Sequence, residues 1–322
     1  MYTVSNNNFD ASNNNFDGNN KAIFQDGLKF DLTSKVNITD TSVVFDNTIY
    51  SSYSTYRDIR VDDRDDDTRV IKGTNKADHI QGTKANEKIW GFKENDYIHG
   101  KAGHDSIYGG KGDDDLYGGL GNDYIEGGAG RDWIYGGKGD DDLFGNQGDD
   151  DLFGEAGNDD LWGDRGDDLL DGGYGDDDLF GGKGDDRLFG GYGDDDLVGG
   201  KGDDWLDGYG AAKGWGAALG REYDTLTGGG GDDIFVLGDS KRGVSYLGAG
   251  DAVITDWDPD EDRVQVLGDA SQYFLVEYDA GVGSSAKDTG LYYQGDWNQP
   301  SDLIAVFQDT TDVVIATDFN FV

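Results

Sequence analysis

The chain has no cysteine and only two prolines among its 322 residues. Without cysteine, neither a disulfide framework nor a thiolate metal site can form. No apolar run approaches the roughly 20 residues that a membrane-spanning helix needs. The first residues, MYTVSNNNFD, also lack the basic and apolar stretches of a secretory signal peptide. We therefore expect no membrane span and no standard N-terminal export signal.

Basic residues are scarce as well, with 26 Lys and Arg against 67 Asp and Glu. The scattered cations form no basic footprint for phosphate groups, which excludes nucleic acid as a main partner. The formal net charge is -41. Because a compact chain with this charge repels itself, we expect the folded state to need bound cations.

Histidine, the commonest acid and base in catalysis, occurs only three times, and neither HExxH nor GxSxG is present. The 71 residues that precede the repeat described below are too few for a catalytic domain. We therefore predict no catalytic residue and no organic cofactor. Carboxylate-only chemistry on a polysaccharide stays an alternative, because so many acidic residues are available.

The main feature that is present is a repeat. From residue 72 to residue 206 the sequence divides into fifteen consecutive nine-residue units without an insertion or deletion, such as YGGKGDDDL at 108–116. Position two is always Gly, position nine is always Ile or Leu, and position seven is Asp except for Glu87. The first three units lack the Gly found at position five of the others. Disordered sequence does not keep such a register.

The composition of the unit indicates a turn followed by a short strand. The glycines of the first half permit positive φ angles and expose backbone carbonyl groups in tight turns. A three-residue strand would then point position nine inward and positions eight and one outward. Two units that face each other enclose a thin aliphatic core, which predicts a coil of two parallel sheets. Because no apolar period of 3.6 residues persists, we expect almost no helix.

The Asp at position seven has a physical role in such a coil. Units two apart stack at the strand spacing of about 4.8 Å, so that these carboxylates form columns. Stacked carboxylates are unfavourable unless cations lie between them. Calcium suits this arrangement, because it accepts six to eight oxygen ligands in flexible geometry, whereas magnesium demands a tighter octahedron.

The units resemble the calcium-binding nonapeptides of the repeats-in-toxin (RTX) family. The resemblance covers residues 72–206 and an isolated unit at 227–235. It implies an all-β chain with a right-handed parallel β-roll, in which the Asp of each unit and the carbonyls of the turns hold calcium between successive turns. It also implies export by a type I secretion system with an uncleaved C-terminal signal, to which the ending TDFNFV is similar.

Carried over by position, the resemblance implies metal ligation by the Asp of every unit with a complete motif, namely Asp105, Asp114, Asp123, Asp132, Asp141, Asp150, Asp159, Asp168, Asp177, Asp186, Asp195, Asp204 and Asp233. The carbonyls implied with them belong to turn glycines such as Gly109, Gly112, Gly118, Gly121, Gly136 and Gly139. Asp96, Asp256 and Asp258 are additional candidates, and a polar turn at Pro259 is the alternative for the last two.

A count of charges agrees with several bound ions. Residues 72–206 contain 34 acidic and 13 basic side chains, which gives a net charge of -21. On the order of ten calcium ions would nearly balance this charge. We therefore expect calcium as the cofactor of the roll.

We divide the chain into three segments. Residues 1–71 form an N-terminal β segment that begins with the duplication SNNNFDA and SNNNFDG, and we interpret it as an assembly or docking element. Residues 72–237 form the roll, and residues 238–322 form a β-rich C-terminal region with the secretion signal. Within the roll, the break at 207–226 is either two degenerate units plus two residues or one unit plus an eleven-residue loop.

Position one of the units is mostly aromatic and is expected to form outward rows, one with Phe144, Trp162 and Phe180 and another with Tyr117, Tyr135 and Phe153. These rows either stabilise the sheets by stacking or bind a glycan or a protein. We expect a secreted, extracellular or cell-surface structural protein that folds on binding calcium and self-assembles into a filament or surface layer. The alternative is a glycan-binding, adhesive or accessory module of an extracellular polysaccharide-active system.

Overall fold

The computed structural model describes residues 69–209, 223–239, 250–278, 287–294 and 302–322, together with short strands between residues 21 and 60 and the strand at 243–244. The Asn-rich duplication and residues 210–222 of the predicted break lie outside the described residues.

The described part of the N-terminal segment consists of five short strands. They are β1 (Lys21–Ile23), β2 (Lys29–Asp31), β3 (Ser42–Phe45), β4 (Thr48–Ser51) and β5 (Arg57–Arg60). The strands β1 and β2 pair in an antiparallel manner, as do β3 and β4. The strand β5 instead pairs in parallel with the first repeat, so it belongs to the roll.

The repeat region forms a regular succession of strands, nearly one for each unit. They are β6 (Arg69–Lys72), β7 (Asp78–Gln81), β8 (Glu87–Trp90), β9 (Tyr97–Ala102), β10 (Ser106–Lys111), β11 (Asp115–Leu120), β12 (Tyr124–Ala129), β13 (Trp133–Lys138), β14 (Asp142–Gln147), β15 (Asp151–Ala156), β16 (Asp160–Arg165), β17 (Leu169–Tyr174), β18 (Asp178–Lys183), β19 (Arg187–Tyr192), β20 (Asp196–Lys201), β21 (Trp205–Asp207), β22 (Tyr223–Gly230) and β23 (Ile234–Val236).

These strands alternate between two parallel sheets. Among the described residues, one sheet has thirteen strands and contains β6, β8, β10 and the following even-numbered strands as far as β22. The other has twelve and contains β5, β7, β9 and the odd-numbered strands as far as β23. Ile107 pairs with Ile125 and Leu116 with Ile134, so each turn advances the chain by eighteen residues. The predicted parallel β-roll is confirmed, with about 8 turns over residues 70–207.

The core between the sheets is a double row of aliphatic side chains. The position-nine residue of every unit, from Ile80 to Leu206, is 0% exposed. Because alternate residues of a strand point to opposite faces, one inward residue per unit suffices to fill so thin a core. The prediction that position nine points inward is confirmed.

The strands are longer than the sequence indicated. From β9 to β20 each has six residues and extends through the glycines to position four, where the sequence predicted three residues. Gly110 pairs with Gly128 and Lys111 with Ala129, because the glycine half of each unit also hydrogen-bonds to the next turn. Gly110 and Gly112 have φ angles of 116° and 128°. The turns are therefore part of the ladder.

The break in the repeat does not interrupt either sheet. Leu226 pairs with Leu197, and Phe235 pairs with Leu206. Both pairs are separated by 29 residues, which is one turn of eighteen plus eleven. This spacing matches the second of the two alternatives drawn from the sequence, one unit with an eleven-residue loop.

The C-terminal region adds further strands and two short helical segments. The strands are β24 (Gly238–Asp239), β25 (Gly243–Val244), β26 (Asp251–Ile254), β27 (Arg263–Val266), β28 (Tyr273–Tyr278), β29 (Asp288–Tyr293), β30 (Asp302–Phe307) and β31 (Phe319–Phe321). A 3₁₀ turn spans Ala270–Gln272, and the helix α1 spans Ile315–Asp318. No helix in the described part of the chain is long and apolar enough to cross a membrane.

Both sheets continue beyond residue 237, where the sequence-based division ended the roll. The strands β26 and β30 extend the thirteen-stranded sheet in parallel, and β27 and β31 extend the twelve-stranded one. In this region aromatic side chains join the aliphatic residues of the core. Trp257 contacts Phe307 edge-on with 5.1 Å between ring centroids, and Phe235 lies 6.2 Å from Trp257 on the other side. These larger side chains close the end of the core.

The one-residue-per-unit core makes each aliphatic side chain important for stability. We expect Leu152→Ala to lower the free energy of unfolding by about 2–5 kcal/mol, because it leaves a cavity in a fully packed row. Leu120→Ala is the matched control, because Leu120 is 53% exposed, and it should change stability by no more than about 0.5 kcal/mol. Denaturant unfolding in calcium measures both, and equal losses would contradict this description of the core.

Candidate metal centre

The position-seven carboxylates line the turns between the sheets in two columns. The first column lies in turns that lead from the thirteen-stranded to the twelve-stranded sheet and consists of Asp78, Asp96, Asp114, Asp132, Asp150, Asp168, Asp186, Asp204, Asp233 and Asp262. The second lies in the opposite turns and consists of Glu87, Asp105, Asp123, Asp141, Asp159, Asp177, Asp195 and Asp224.

Each column is held by hydrogen bonds that follow the roll axis. The backbone N–H of Asp96 donates to Oδ1 of Asp114 at 2.7 Å, and that of Asp114 donates to Oδ1 of Asp132 at 2.8 Å. The same bond recurs at every turn. One oxygen of each carboxylate is thereby fixed by the preceding turn, which sets the orientation of the other.

The second oxygen has no hydrogen-bond partner over most of both columns. All of these side chains are at most 3% exposed. The described residues provide no partner for Oδ2 of Asp96, Asp105, Asp114, Asp123, Asp132, Asp141, Asp150, Asp159, Asp168, Asp177, Asp186 and Asp204. Buried polar atoms are rarely left unpaired. This series of carboxylate oxygens is therefore suited to bind cations.

The glycine at position two leaves space beside these oxygens. A Cβ atom on Gly109 would lie 2.4 Å from Oδ2 of Asp114 and 2.7 Å from the carbonyl oxygen of Gly127 in the next turn. Gly118 and Gly136 have the same surroundings, with Asp123 and Asp141 at 2.4 and 2.5 Å. A carboxylate and a carbonyl from successive turns thus converge at a point that only glycine keeps open. This explains why position two is always Gly, although its φ is not positive.

The glycine at position five is constrained differently. Gly121 and Gly139 have φ angles of 120° and 127°, and a Cβ atom on Gly139 would lie 2.2 Å from the carbonyl oxygen of Gly121. In the same way, a Cβ atom on Gly130 would lie 2.1 Å from the carbonyl oxygen of Gly112. Successive turns therefore stack closely at position five, where a side chain would meet the carbonyl oxygen of the preceding turn.

Burial raises the pKa of most Asp side chains in the columns above the usual 3.8. It is the largest cause in each case, and neighbouring carboxylates add to it, while the hydrogen bond from the backbone lowers the pKa in part. The pKa is raised to about 8 for Asp132 and Asp168, to about 7 for Asp177 and to about 6 for Asp150. Without a cation these groups retain protons close to neutral pH.

The ligand set fits a hard cation bound mainly by oxygen. No three Asp, Glu or His side chains in the described residues form a group that could hold a metal ion by itself. Backbone carbonyls must therefore supply much of any coordination shell, beside one or two carboxylates. Calcium accepts such mixed sets of carbonyl and carboxylate oxygens.

Two members of the columns lie outside the regular units. Asp224 was not predicted from the sequence, and Asp262 lies in the acidic run TDWDPDED beside the candidates Asp256 and Asp258. Asp224 accepts the N–H of Asp195 at 3.0 Å, and Asp262 accepts that of Asp233 at 3.2 Å. Both precede an inward aliphatic residue by two positions, as in DTL at 224–226 and DRV at 262–264. This Asp-x-aliphatic spacing survives where the glycines are lost, and it could have identified them.

Asp256 and Asp258 lie outside the columns. The carboxylate of Asp256 accepts the N–H groups of Gly228 and Gly229 at 2.9 and 2.8 Å. The N–H of Asp258 donates to Oδ2 of Asp262 at 2.7 Å, so this residue supports the column carboxylate. The carboxylate of Asp258 accepts the N–H of Asp260 at 2.9 Å, which is a turn contact.

The predicted aromatic rows are present on the outer faces. Phe144 and Trp162 stack with ring centroids 4.5 Å apart, and Trp162 and Phe180 with 5.6 Å. On the other sheet Tyr135 stacks on Tyr117 at 4.9 Å and on Phe153 at 4.8 Å. These rings are half-buried by one another, so part of each face is available to solvent.

The described geometry can be compared with known families. A model of the RTX calcium-binding nonapeptide repeat matches residues 90–125, 118–152, 153–188, 171–206, 189–212 and 220–240. This part of the chain consists of RTX calcium-binding repeats. The resemblance inferred from the sequence is confirmed for the roll.

No curated protein sequence matches the chain. Among solved structures, the RTX roll is similar to the AlgE6R3 subunit of the mannuronan C5-epimerase from Azotobacter vinelandii, with 21% identity over 58% of this chain and 80% of that one. The TM-score is 0.25, and we base no conclusion about activity on this similarity.

The raised pKa values predict how the calcium-free RTX roll responds to pH. Most column Asp residues, such as Asp150 and Asp132, have folded pKa values of about 6 to about 8, above the unfolded value of 3.8. The folded roll therefore binds more protons than the unfolded chain in this range, so its stability rises as pH falls and is lost as pH rises through the folded pKa values. Circular dichroism of protein stripped of calcium should show more β-structure at pH 5 than at pH 8. Greater β-structure at pH 8 would contradict the buried columns.

Proposed function

We propose that the buried carboxylate columns bind calcium between successive turns and that this binding drives folding of the roll. The observation that carries the proposal is the series of buried Oδ2 atoms without a hydrogen-bond partner among the described residues, most of them beside a glycine carbonyl of the next turn. Calcium would supply the charge that the burial of so many carboxylates requires. The number of ions is on the order of ten, which nearly balances the charge of the repeats.

The ligands would be the position-seven Asp residues named from the sequence, joined by Asp224 and Asp262. The carbonyls of the glycines at positions two and five complete the set. The start of the second column is different, since the N–H of Thr83 donates to Oε2 of Glu87 at 3.1 Å and its hydroxyl donates to Oε1. With its carboxylate already bonded, this turn would act as a cap that needs no ion.

Binding and folding would be linked to location. Before calcium binds, the columns must be either protonated or mutually repelling, so the apo roll is unstable at neutral pH. Sites of RTX type with weak affinity are empty at cytosolic calcium and full outside the cell. The protein would therefore leave the cell unfolded, by type I secretion with the C-terminal residues as signal, and fold outside.

The role outside the cell would be structural. The roll is a rigid rod whose described residues contain no catalytic constellation, and its aromatic rows are available for contact. We propose that folded copies assemble into a filament or surface layer. The second candidate is binding of a glycan by the same rows, since exposed aromatic rings stack on sugars.

Electron microscopy tests assembly directly. Purified protein with millimolar calcium should form filaments or sheets, and the same sample with excess chelator at pH 8 should show none, because the roll unfolds. Circular dichroism of the same samples is the control, since it reports folding alone. Folded but dispersed monomers in calcium would contradict assembly and favour the glycan-binding alternative. A fold that persists in chelator would contradict the calcium proposal.

A further inference from the structure

One outer face of the roll carries three parallel columns of different chemistry. The strands β16, β18 and β20 share one order of residues. The first residue is Asp, the third is Trp, Phe or Val, and the last is Arg or Lys. The strand β14 has the same order but ends in Gln. The acidic column is Asp142, Asp160, Asp178 and Asp196, the middle row is Phe144, Trp162, Phe180 and Val198, and the basic column is Arg165, Lys183 and Lys201. We call this the three-column face.

The parallel pairing of the sheet keeps the columns separate. Asp160 pairs with Asp178, Trp162 with Phe180, and Arg165 with Lys183. Because parallel strands in register place equal positions side by side, all acids lie along one border and all bases along the other. The face is therefore electrically polar across its width.

The charged side chains of this face form no ion pair with the part of the chain that the structure describes. Asp178, Asp196 and the three basic side chains are exposed. Arg165, Lys183 and Lys201 form no ion pair with any residue that the structure describes. The acidic column is unfavourable by itself, because Asp142, Asp160, Asp178 and Asp196 lie side by side in the ladder and like charges placed directly opposite each other repel.

We propose that the three-column face binds the same face of a second copy, related by a two-fold axis parallel to the roll axis. In this arrangement each strand lies opposite its own copy and runs the other way. Asp160 then faces Arg165 of the second copy, Asp178 faces Lys183 and Asp196 faces Lys201. The aromatic rows meet in the middle, and the acidic columns gain the cations that they lack.

The same charges disfavour the other symmetric arrangement. If the two-fold axis were instead perpendicular to the roll axis and parallel to the strands, the roll axes of the two copies would be antiparallel and their acidic columns would face each other. Like charges across an interface cost free energy, so the order of the columns selects one orientation. An anionic polysaccharide is a poorer occupant, because it would lie beside the acidic column of a chain with net charge -41.

The size of the face sets the expected strength. Four strands at about 4.8 Å, each with six residues at about 3.3 Å, cover roughly 20 by 20 Å. That is about 400 Å² on each copy, below the roughly 800 Å² typical of stable complexes. The contact is therefore a weak, reversible one, suited to repeated use in an assembly. It rests on the proposed function, since the face exists only in the folded roll.

The test is charge reversal measured by sedimentation at protein concentrations on the order of 100 µM in calcium. Wild type should associate, and salt should weaken the association. D178K and K183D each place like charges opposite one another at both symmetric contacts and should weaken association about tenfold or more. The double variant D178K/K183D should restore it, as should an equal mixture of the two single variants.

Two controls separate this proposal from general effects of charge. K138D changes the same repeat position on the opposite sheet and should associate like wild type. D178K and K183D alter net charge in opposite directions, so a nonspecific effect would move them oppositely. Circular dichroism in calcium must show all variants folded, and loss of the fold in wild type with calcium would instead refute the proposed function.

Several results would overturn the proposal while leaving calcium-driven folding intact. One is assembly by wild type that the single reversals do not weaken. Another is failure of the mixture and the double variant to recover association. A third is a monomeric wild type that binds a soluble anionic polysaccharide and loses that binding in K183D, which would assign the face to a glycan.

Discussion

The burial of two carboxylate columns is the constraint on which the structure depends. Nearly every loop between the two sheets contributes one Asp to these columns, where one oxygen accepts a backbone N–H. Over most of both columns the other oxygen has no hydrogen-bond partner among the described residues. The stacking of successive turns that forms the hydrogen bonds of the sheets also brings the carboxylates of neighbouring turns close together, and these carry charges of the same sign. The roll can therefore exist with protons or with cations on these columns, and its core of one aliphatic side chain per unit is too thin to oppose bare repulsion.

Much of this could be predicted from the sequence, because strict repetition makes position equivalent to environment. The Ile or Leu at position nine identified the inward row, the repeated glycines identified the tight turns, and the Asp spacing identified the columns. The strand length could not be predicted, since glycine has low strand propensity and here pairs only because the next turn repeats it. Asp224 and Asp262 could not be assigned to the columns by repeat position because the glycines around them are replaced, although Leu226 and Val264 keep the inward spacing.

The outer faces follow a different logic from the core. Position nine and the glycines are fixed by packing, whereas positions eight, one and four vary along the chain without disturbing the ladder. A parallel roll turns any preference at these positions into a column, so a short sequence bias becomes an extended surface. The acidic, aromatic and basic columns on one sheet arise in this way, because the same residue types recur at the same positions of successive turns. Since calcium would allow the roll to form, it would also control when this surface exists.

The central claim is that calcium acts on the buried column and not on acidic residues in general. Asp141 and Asp142 are adjacent, and the first is 1% exposed in the column while the second faces outward. Calcium titrations followed by circular dichroism and calorimetry should show that Asp141→Asn needs more calcium to fold and binds fewer ions, while Asp142→Asn behaves like wild type. Equal folding midpoints and equal numbers of bound ions in the two variants would contradict the account.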